Sequence, residues 1–392
     1  VEVPHAYLLI DGRADASYLF LPHQSQERRE KEGEALSPQN ADQVCRLTGM
    51  DEVHGIEDLG RFLERSTVIF TPMREAEGTR MSWDGLQRTH QEAVADPWDG
   101  QQGRMRAFIA LLGDRVPAAD IRDLAPVLDE LRLVKSEAET ELLRKAGELT
   151  AIAVVEAMRS TQPGVMEYQL DAILRYIYLV NGSRDAGYRA IIAGGPNAWY
   201  GHYKANDQPL ADGVLVLVDC APDYKYYTSD IGRMWPVGGR YTDVQRELYG
   251  FIVEYHKVFL ERIRPGVSPE QIQDEVAERM RAVIERTHFS KPIYEQAARR
   301  ALEFRGHMSH PVGMAVHDVG RYRGKPMQPG VVFTLDPMMW VPEEKLYIRV
   351  EDTLLVTETG FENFTRDAPL ELDDVEEVMK QDGMLQQYAA LW

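Results

Sequence analysis

The stretch from 213 to 235, GVLVLVDCAPDYKYYTSDIGRMW, has the pattern of two strands joined by a turn. Its first part is a continuous apolar run rich in β-branched residues, typical of a buried strand, and it ends at Asp219. A second acid, Asp230, lies in the aromatic and β-branched segment that follows. With a turn centred between Tyr224 and Lys225, the two acids are equally far from it and face each other. Opposed side chains in an antiparallel pair have Cβ atoms roughly 5 Å apart, so these like charges require a positive partner.

A second pair of acids has the same arrangement near the C-terminus. Residues 331–335 form an apolar strand that ends at Asp336, and a turn falls near Glu343 and Glu344. The returning apolar strand ends at Glu351, so this acid and Asp336 are again equidistant from the turn. The sequence therefore predicts two facing acid pairs, whose four negative charges two divalent ions would balance.

Three of the ten histidines lie between the two hairpins, in the window GHMSHPVGMAVHD: they are His307, His310 and His317. An imidazole combined with carboxylates suits Mn²⁺, Co²⁺ or Zn²⁺. A two-metal site makes a shared water nucleophilic at neutral pH, which is hydrolase chemistry. The plainer interpretation is that the acids cap turns or pair with Arg233 and Arg349, and that the histidines are core residues.

The order of these residues resembles that of the Xaa-Pro aminopeptidase and prolidase family of pita-bread metallopeptidases. The likeness extends over about residues 130–365 and is carried by LRLVKSEAETELLRKA, HMSHPVGMAVHDVG, FTLDP and IRVEDTLLVTETGFENFT. It implies a two-metal site, most often with Mn²⁺ and with Co²⁺ or Zn²⁺ as alternatives. The metal ligands that it implies are Asp219, Asp230, His310, Asp336 and Glu351.

The resemblance also implies a set of catalytic residues. His317 matches a position that supports the oxyanion, and His202, in the loop GGPNAWYGHYKAND, matches one that contacts substrate. His307 resembles a second histidine that lines the pocket, and Arg349 one that orients the site. Asp336 matches an acid that both binds metal and takes part in proton transfer. For Arg349 a plain salt bridge is equally consistent with the sequence.

The chain departs from the family pattern at three places. The third acid, usually Glu, is Asp336, which is one methylene shorter. The usual Thr two residues after the second Asp is Gly232, and the usual Gly-Leu-Tyr is replaced by Met338-Met339-Trp340. We expect these changes to alter metal spacing and the floor of the pocket.

The function that the resemblance implies is hydrolysis of the Xaa-Pro bond at the N-terminus of peptides. The substrate would be a peptide with proline in second position. A prolidase restricted to dipeptides is the nearest alternative. A peptide-binding relative with impaired catalysis and a creatinase-like, metal-free hydrolase are further alternatives, and the presence of a ligating residue type at all five metal positions argues against both.

Helix and strand patterns divide the chain into two domains. Residues 1–125 alternate helix and strand as an α/β domain, in which 75–99 is expected to be a surface loop. Pro163-Gly164 and Pro265-Gly266 each interrupt a helix pair at one offset of 102 residues, which predicts an internal duplication within residues 126–392. This agrees with the α+β pita-bread domain that the resemblance implies for 126–392. Members of the resembled family have more N-terminal sequence before the part that matches Val1. The N-terminal domain is therefore expected to be truncated at its start.

Composition restricts the partners. The 392 residues carry a net charge of −19, which disfavours a nucleic-acid partner, and no apolar run has the length of a membrane span. Only two cysteines, Cys45 and Cys220, are present, which favours a reducing, cytoplasmic location. The resemblance implies a homodimer or homotetramer.

Overall fold

The computed structural model describes residues 3–78, 80–98 and 103–388. In chain order, the elements as far as residue 123 are β1 (Tyr7–Asp11), β2 (Ala16–Leu21), α1 (Gln26–Glu32), α2 (Ala41–Thr48), β3 (Glu52–Gly55), α3 (Leu59–Leu63), β4 (Val68–Thr71), α4 (Trp83–Ala95), α5 (Arg104–Arg115) and β5 (Asp120–Asp123). From residue 125 they are α6 (Ala125–Leu133), α7 (Glu137–Ser160), α8 (Glu167–Val180), β6 (Asp185–Ala186), β7 (Ile191–Gly194), β8 (Leu215–Asp219), β9 (Pro222–Asp223), β10 (Gly232–Pro236), α9 (Asp243–Leu260), α10 (Pro269–Arg286), α11 (Pro292–Glu303), β11 (Met308–Pro311), β12 (Val332–Leu335), β13 (Met338–Val341), β14 (Leu346–Arg349), β15 (Asp352–Val356), β16 (Phe361–Asn363), α12 (Leu372–Val378) and α13 (Met384–Gln387).

The chain folds into two compact units. The first consists of 1–74 and 102–125, and the second of 75–101 and 126–392. The first unit contains the sheet β1-β2-β3 and the parallel pair β4-β5, so it is an α/β structure. The segment 75–101 belongs to the second unit, whereas the sequence pattern predicts that it is part of the N-terminal domain. That segment is also not a simple surface loop, since it contains helix α4.

The second unit is built from two similar halves that share a large apolar core, and a smaller apolar cluster includes Leu143 and Phe364. In the first half α7 packs against α8, and the sheet has the order β10-β8-β7. In the second half α9 and α11 pack against α10, and the sheet has the order β11-β12-β15-β16. The long helices begin at the capping boxes that the sequence indicates, with Ser136 before α7 and Thr242 before α9.

The Pro-Gly turns occupy equivalent places in the two halves. Gly164 and Gly266 both have positive φ, of 90° and 78°, a conformation that glycine adopts without steric cost. The N–H of Gly164 donates to the carbonyl of Leu210, and that of Gly266 to the carbonyl of Met327, both at 2.8 Å. Each acceptor lies on the chain that leads into the first strand of its own hairpin. The helix pairs and hairpins are therefore arranged alike, as the 102-residue repeat predicts.

The two halves meet at a bridge between Gly232 and Glu351. The Glu351 N–H donates to the Gly232 carbonyl at 2.9 Å, and the reverse bond is 3.2 Å long. Thr353 adds to the junction, because its hydroxyl accepts from the Asp230 N–H and donates to the Asp230 carbonyl, both at 2.7 Å. This junction brings the acids of the first hairpin beside those of the second.

The register of the first hairpin differs from the predicted one. Asp219 pairs with Gly232, so it does not face Asp230 directly. The reason is the turn, which is centred between Lys225 and Tyr226, one residue later than predicted; both have positive φ, of 52° and 74°. A shift of one residue in the centre of a turn moves the pairing by two residues.

The second hairpin has the predicted register. Leu335 pairs with Asp352 on one side of the acids, and Met338 pairs with Arg349 on the other. In each pair the two residues are equally far from the centre of the turn at 342–345, which places Asp336 and Glu351 at opposed positions. Among the described helices, none combines the length and the apolar composition needed to cross a bilayer.

Candidate metal centre

Four carboxylates and one imidazole converge at the junction of the two halves. Asp230, His310 and Glu351 each offer a ligand atom, and these atoms all lie within 4.8 Å of one another. Asp219 and Asp336 flank this group, and all four acids are buried, none being more than 5% exposed. A buried carboxylate is costly unless it is paired, so this cluster requires compensating positive charge.

Arg349 provides part of that charge. Its Nη2 pairs with Asp219 and lies 3.4 Å from Glu351 Oε2, while its Nε is 3.7 Å from Asp336 Oδ1. Gly232 makes room for it, because a Cβ at that position would lie 3.0 Å from the Arg349 Nε. Arg349 is therefore a buried ion-pair partner that lies close to three of the acids, and its role in orienting the site stays a prediction.

The acids influence one another's protonation. Burial, and then the neighbouring Asp219, raises the pKa of Asp230 well above its usual value. Burial and then Asp230 do the same for the pKa of Glu351, and burial and then Glu351 raise that of Asp336. For Arg349, burial alone would lower the pKa, but the surrounding carboxylates outweigh it and raise the pKa well above the ordinary value.

Tyr188 bridges the first two acids and was not anticipated from the sequence. Its hydroxyl lies 2.6 Å from Asp219 Oδ1 and 2.6 Å from Asp230 Oδ1. One hydroxyl proton serves one acceptor, so the second contact is satisfied when a proton resides on the other acid. No pattern around AGYRA signals this role, which depends on contacts 31 and 42 residues away.

His310 reaches the acids because its strand is irregular. The pairing of β11 with β12 shifts between Met308 and Pro311, and a bulge of this kind re-aims the side chain that it contains. The His310 Nδ1 lies 3.2 Å from the Pro311 carbonyl, and its Nε2 lies 3.5 Å from Asp230 Oδ2. A hydrogen bond from Nδ1 leaves Nε2 free to act as a metal ligand. Burial lowers the pKa of His310 well below its usual value, which favours the neutral, ligating form.

Two further predicted residues lie beside this group. The His317 ring centroid is 4.1 Å from that of His310, and the His202 centroid is 5.9 Å from that of His317. Burial lowers the pKa of His202. All three histidines line one cavity of about 800 Å³, which also contains the four acids and Tyr188. That volume is within the range of small-ligand sites.

His307 does not line the cavity, in contrast to the prediction. Its side chain is fully buried, and its Nε2 lies 2.7 Å from the Ala301 carbonyl at the end of α11. Its Nδ1 accepts from the Met338 N–H at 3.3 Å, and the rings of Tyr255 and Phe304 pack edge-on against it. Burial lowers the pKa of His307 to about 4. His307 is thus a core residue that ties α11 to β13.

The predicted ligand set fits a divalent cation. Asp336 Oδ1 and Glu351 Oε2 are buried and have no hydrogen-bond partner within the described part of the chain. Unpaired buried oxygens are rare in native proteins, and a cation satisfies them without a donor. Carboxylate oxygens with one imidazole form a donor set that Mn²⁺, Co²⁺ or Zn²⁺ accepts.

Comparison with known proteins identifies the family. The model of metallopeptidase family M24 matches residues 141–358. The Xaa-Pro aminopeptidase of Escherichia coli is 36% identical over 276 residues, which are 67% of this chain and 62% of the relative. The human Xaa-Pro aminopeptidase 3 is 29% identical over 377 residues, which are 93% of this chain and 70% of that protein. The matches to Escherichia coli and Haemophilus influenzae span less than two thirds of those relatives, 62% and 64%.

Solved structures give the same result. A variant of Escherichia coli aminopeptidase P superposes with a TM-score of 0.79 at 27% identity, over 97% of this chain and 87% of that one. Proline aminopeptidase P II from Yersinia pestis superposes with a TM-score of 0.73 at 30% identity, over 93% and 84%. The pita-bread fold that the sequence predicts is therefore confirmed, and family membership implies the use of a divalent metal. This chain belongs to metallopeptidase family M24.

Proposed function

We propose that this protein is a metal-dependent aminopeptidase that removes the N-terminal residue from peptides whose second residue is proline. The observation that carries the proposal is the convergence of Asp230, His310 and Glu351 in a cavity that His202 and His317 also line. The relatives give further support, because they are named Xaa-Pro aminopeptidases.

The proposed cofactor is a pair of divalent ions, most often Mn²⁺, with Co²⁺ or Zn²⁺ as alternatives. The ligands would be Asp219, Asp230, His310, Asp336 and Glu351. When bound, such ions supply a hydroxide nucleophile at neutral pH and polarise the scissile carbonyl. Four carboxylates and one arginine leave a net charge of about −3 in the site, and this negative charge supports two ions rather than none.

Side chains of the protein would stabilise the oxyanion, transfer the proton and contact the substrate. His317 would hold the oxygen that becomes negative as the carbonyl is attacked. Asp336 or Glu351 would carry the proton to the departing prolyl nitrogen. His202 would contact substrate from its loop, and Arg349, through Asp219, would keep the acids in place.

The test is an assay of Mn²⁺-loaded protein on a Xaa-Pro dipeptide and on a Xaa-Pro-Yaa tripeptide. We expect turnover of the tripeptide with release of the N-terminal residue. Turnover of the dipeptide alone would replace the proposal by a prolidase. Turnover of neither would leave a peptide-binding relative with impaired catalysis, and full activity of Asp219→Ala would point to chemistry without this metal centre.

Two further parts of the proposal concern the protein as a whole. A cytoplasmic location is supported by the two free thiols, of Cys45 and Cys220. A homodimer or homotetramer is proposed from the resemblance, and light scattering of the purified protein tests it.

A further inference from the structure

Helix α4 and the residue before it hold His317 at two points. Asp84, in the first turn of α4, places its Oδ2 at 3.0 Å from the His317 Nδ1. Ser82, which precedes the helix, has the extended backbone of an N-cap, yet its hydroxyl caps no helical N–H. The Ser82 hydroxyl instead accepts from the backbone N–H of His317 at 3.2 Å. Serine and aspartate often cap helices, but here both side chains contact His317, which is more than 230 positions away in the sequence.

The contact with Asp84 determines which ring nitrogen of His317 carries a proton. The hydrogen bond from His317 is the main cause that lowers the pKa of Asp84 to about 2, so this group is a carboxylate at neutral pH. A carboxylate only accepts hydrogen bonds, and Nδ1 must therefore be the donor. Within the described part of the chain, Nε2 of His317 has no protein partner. Nε2 is therefore the nitrogen available to a bound substrate.

The His317 ring and the Asp84 carboxylate each have one further neighbour. The His310 ring lies 4.1 Å away by centroid, and Arg88, one turn after Asp84, donates from Nη2 to the same Asp84 Oδ2 at 3.1 Å. Arg88 therefore holds the carboxylate that holds the histidine. Both Asp84 and His317 border the cavity of the metal centre.

We propose that Asp84 is a positioning residue for catalysis: it fixes the His317 ring with Nδ1–H toward α4 and Nε2 toward the substrate. The inference rests on the proposed function, because His317 acts there on the scissile carbonyl oxygen. A histidine free to rotate by half a turn about its ring axis would present either nitrogen, in either tautomer. Asp84 removes that freedom, which is how a hydrogen-bonded carboxylate prepares an active-site imidazole.

The test compares Asp84→Ala and Asp84→Asn with the wild-type protein, all loaded with Mn²⁺. Because Asp84 is 41% exposed, its ion pairs contribute little to stability and both variants are expected to fold. We expect kcat on a Xaa-Pro-Yaa tripeptide to fall by roughly ten- to a hundredfold in Asp84→Ala, with KM within about twofold. Asp84→Asn should lie between, since an amide accepts from Nδ1–H in one orientation and donates to a bare Nδ1 in the other.

A spectroscopic measurement separates this inference from the proposed function. In metal-free protein labelled with ¹⁵N-histidine, the Nδ1–H of His317, assigned with His317→Gln, should give a hydrogen-bonded, slowly exchanging proton signal. That signal should disappear in Asp84→Ala whether or not the protein hydrolyses any peptide. Asp96→Asn, at the end of the same helix, is the matched control and should preserve both the signal and kcat.

Three results would overturn the inference. One is a wild-type His317 without a hydrogen-bonded Nδ1–H. Another is a kcat that is unchanged in Asp84→Ala although the signal is lost, because Asp84 would then serve only to anchor α4. The third is an equal loss of kcat, melting temperature and metal content in both Asp84 variants, which would indicate a structural role. A wild-type protein that hydrolyses no Xaa-Pro peptide would refute the proposed function and the catalytic role of Asp84, while the signal would still report the contact.

Discussion

At residue 336 the chain places a carboxylate that is one methylene shorter than the glutamate usual in the resembled family. The group of ligand atoms within 4.8 Å consists of Asp230, His310 and Glu351, and does not include Asp336. The Asp336 Oδ1 has no hydrogen-bond partner among the residues that the structure describes, and it lies 3.7 Å from the Arg349 Nε. A missing carbon–carbon bond shortens the reach of the acid by about 1.5 Å. Asp336 therefore lies at the edge of the metal centre.

We expect Asp336→Glu to tighten ion binding, because the longer side chain brings its carboxylate to the group around His310. The gain should be on the order of tenfold in Kd, equal to about 1.4 kcal/mol. Isothermal titration of the metal-free protein with Mn²⁺ measures it. Asp207→Glu, an exposed change of the same kind, is the control and should leave Kd unchanged. Weaker binding by Asp336→Glu would mean that the site is adapted to the short acid.

His307 gives a prediction about pH and stability. Its pKa is lowered by burial to about 4 in the folded protein, against an ordinary value of 6.5, so the unfolded chain binds more protons between these pH values. Stability should therefore fall as pH drops from about 6.5 to about 4, by up to about 1.4 kcal/mol per pH unit for this one group. Below about pH 4 its contribution to the slope ends.

Denaturant unfolding of metal-free protein across this range measures the slope. Other groups titrate there too, so the informative quantity is the difference between wild type and His307→Gln. The glutamine does not titrate, and its free energy of unfolding should fall less steeply below pH 6.5. Parallel curves for the two proteins would contradict the assignment of this slope to His307.

Among the elements, α7 depends on a glycine in its interior. Gly147 is buried, and a Cβ there would lie 2.5 Å from the carbonyl oxygen of Phe364. Such a distance to a backbone atom requires the helix or the Phe364 segment to move. The absence of a side chain at Gly147 therefore permits the close packing of α7 on the chain after β16.

We expect Gly147→Ala to destabilise the protein by roughly 1–3 kcal/mol, the usual cost of overpacking, although alanine is the better helix former. Gly250→Ala in α9 is the matched control, because a Cβ there meets nothing within 4 Å. That change should stabilise by up to about 1 kcal/mol. Chemical denaturation of both variants measures the change in the free energy of unfolding. If Gly147→Ala also stabilised the protein, helix propensity would outweigh packing at Gly147.

The elements also show where sequence reasoning succeeds. The capping boxes at Ser136 and Thr242 are local signals, and both helices begin there. The second hairpin has the predicted register because Pro342 starts a well-marked turn. The first does not, because its turn is formed by Lys225 and Tyr226. Neither is a residue typical of a turn that requires positive φ at both central positions.

Other features of the site could not be found from pattern alone. Helix α4 was missed because its polar sequence buries no residue, and it is held by tertiary contacts such as that of Asp84 with His317. Tyr188 and Asp84 act across 31 and 233 positions respectively, and no local spacing encodes such contacts. His307 was misplaced because a histidine in a metal-site window does not reveal which way its ring turns.

On the scale of the whole molecule, the fold concentrates negative charge at the junction of its two halves. Each half contributes one pair of acids, and the Gly232–Glu351 bridge brings the pairs together. Arg349 compensates for one charge of four. The raised pKa values of Asp230, Asp336 and Glu351 are the response of the folded protein to the rest. Ion binding and folding stability are therefore expected to be coupled.

We expect Mn²⁺ to raise the melting temperature, because ions that bind only the folded site stabilise it by mass action. One site at 100 times its Kd contributes about 2.7 kcal/mol. Asp230→Asn should abolish most of this shift by removing a ligand, yet keep the metal-free melting temperature at or above that of wild type, because burial and Asp219 already disfavour a charge at Asp230. Calorimetry at increasing Mn²⁺ measures both effects, with Asp373→Asn on the surface as control. A wild-type melting temperature that does not respond to Mn²⁺, or an Asp230→Asn protein that responds equally, would show that the acids at this junction hold no ion.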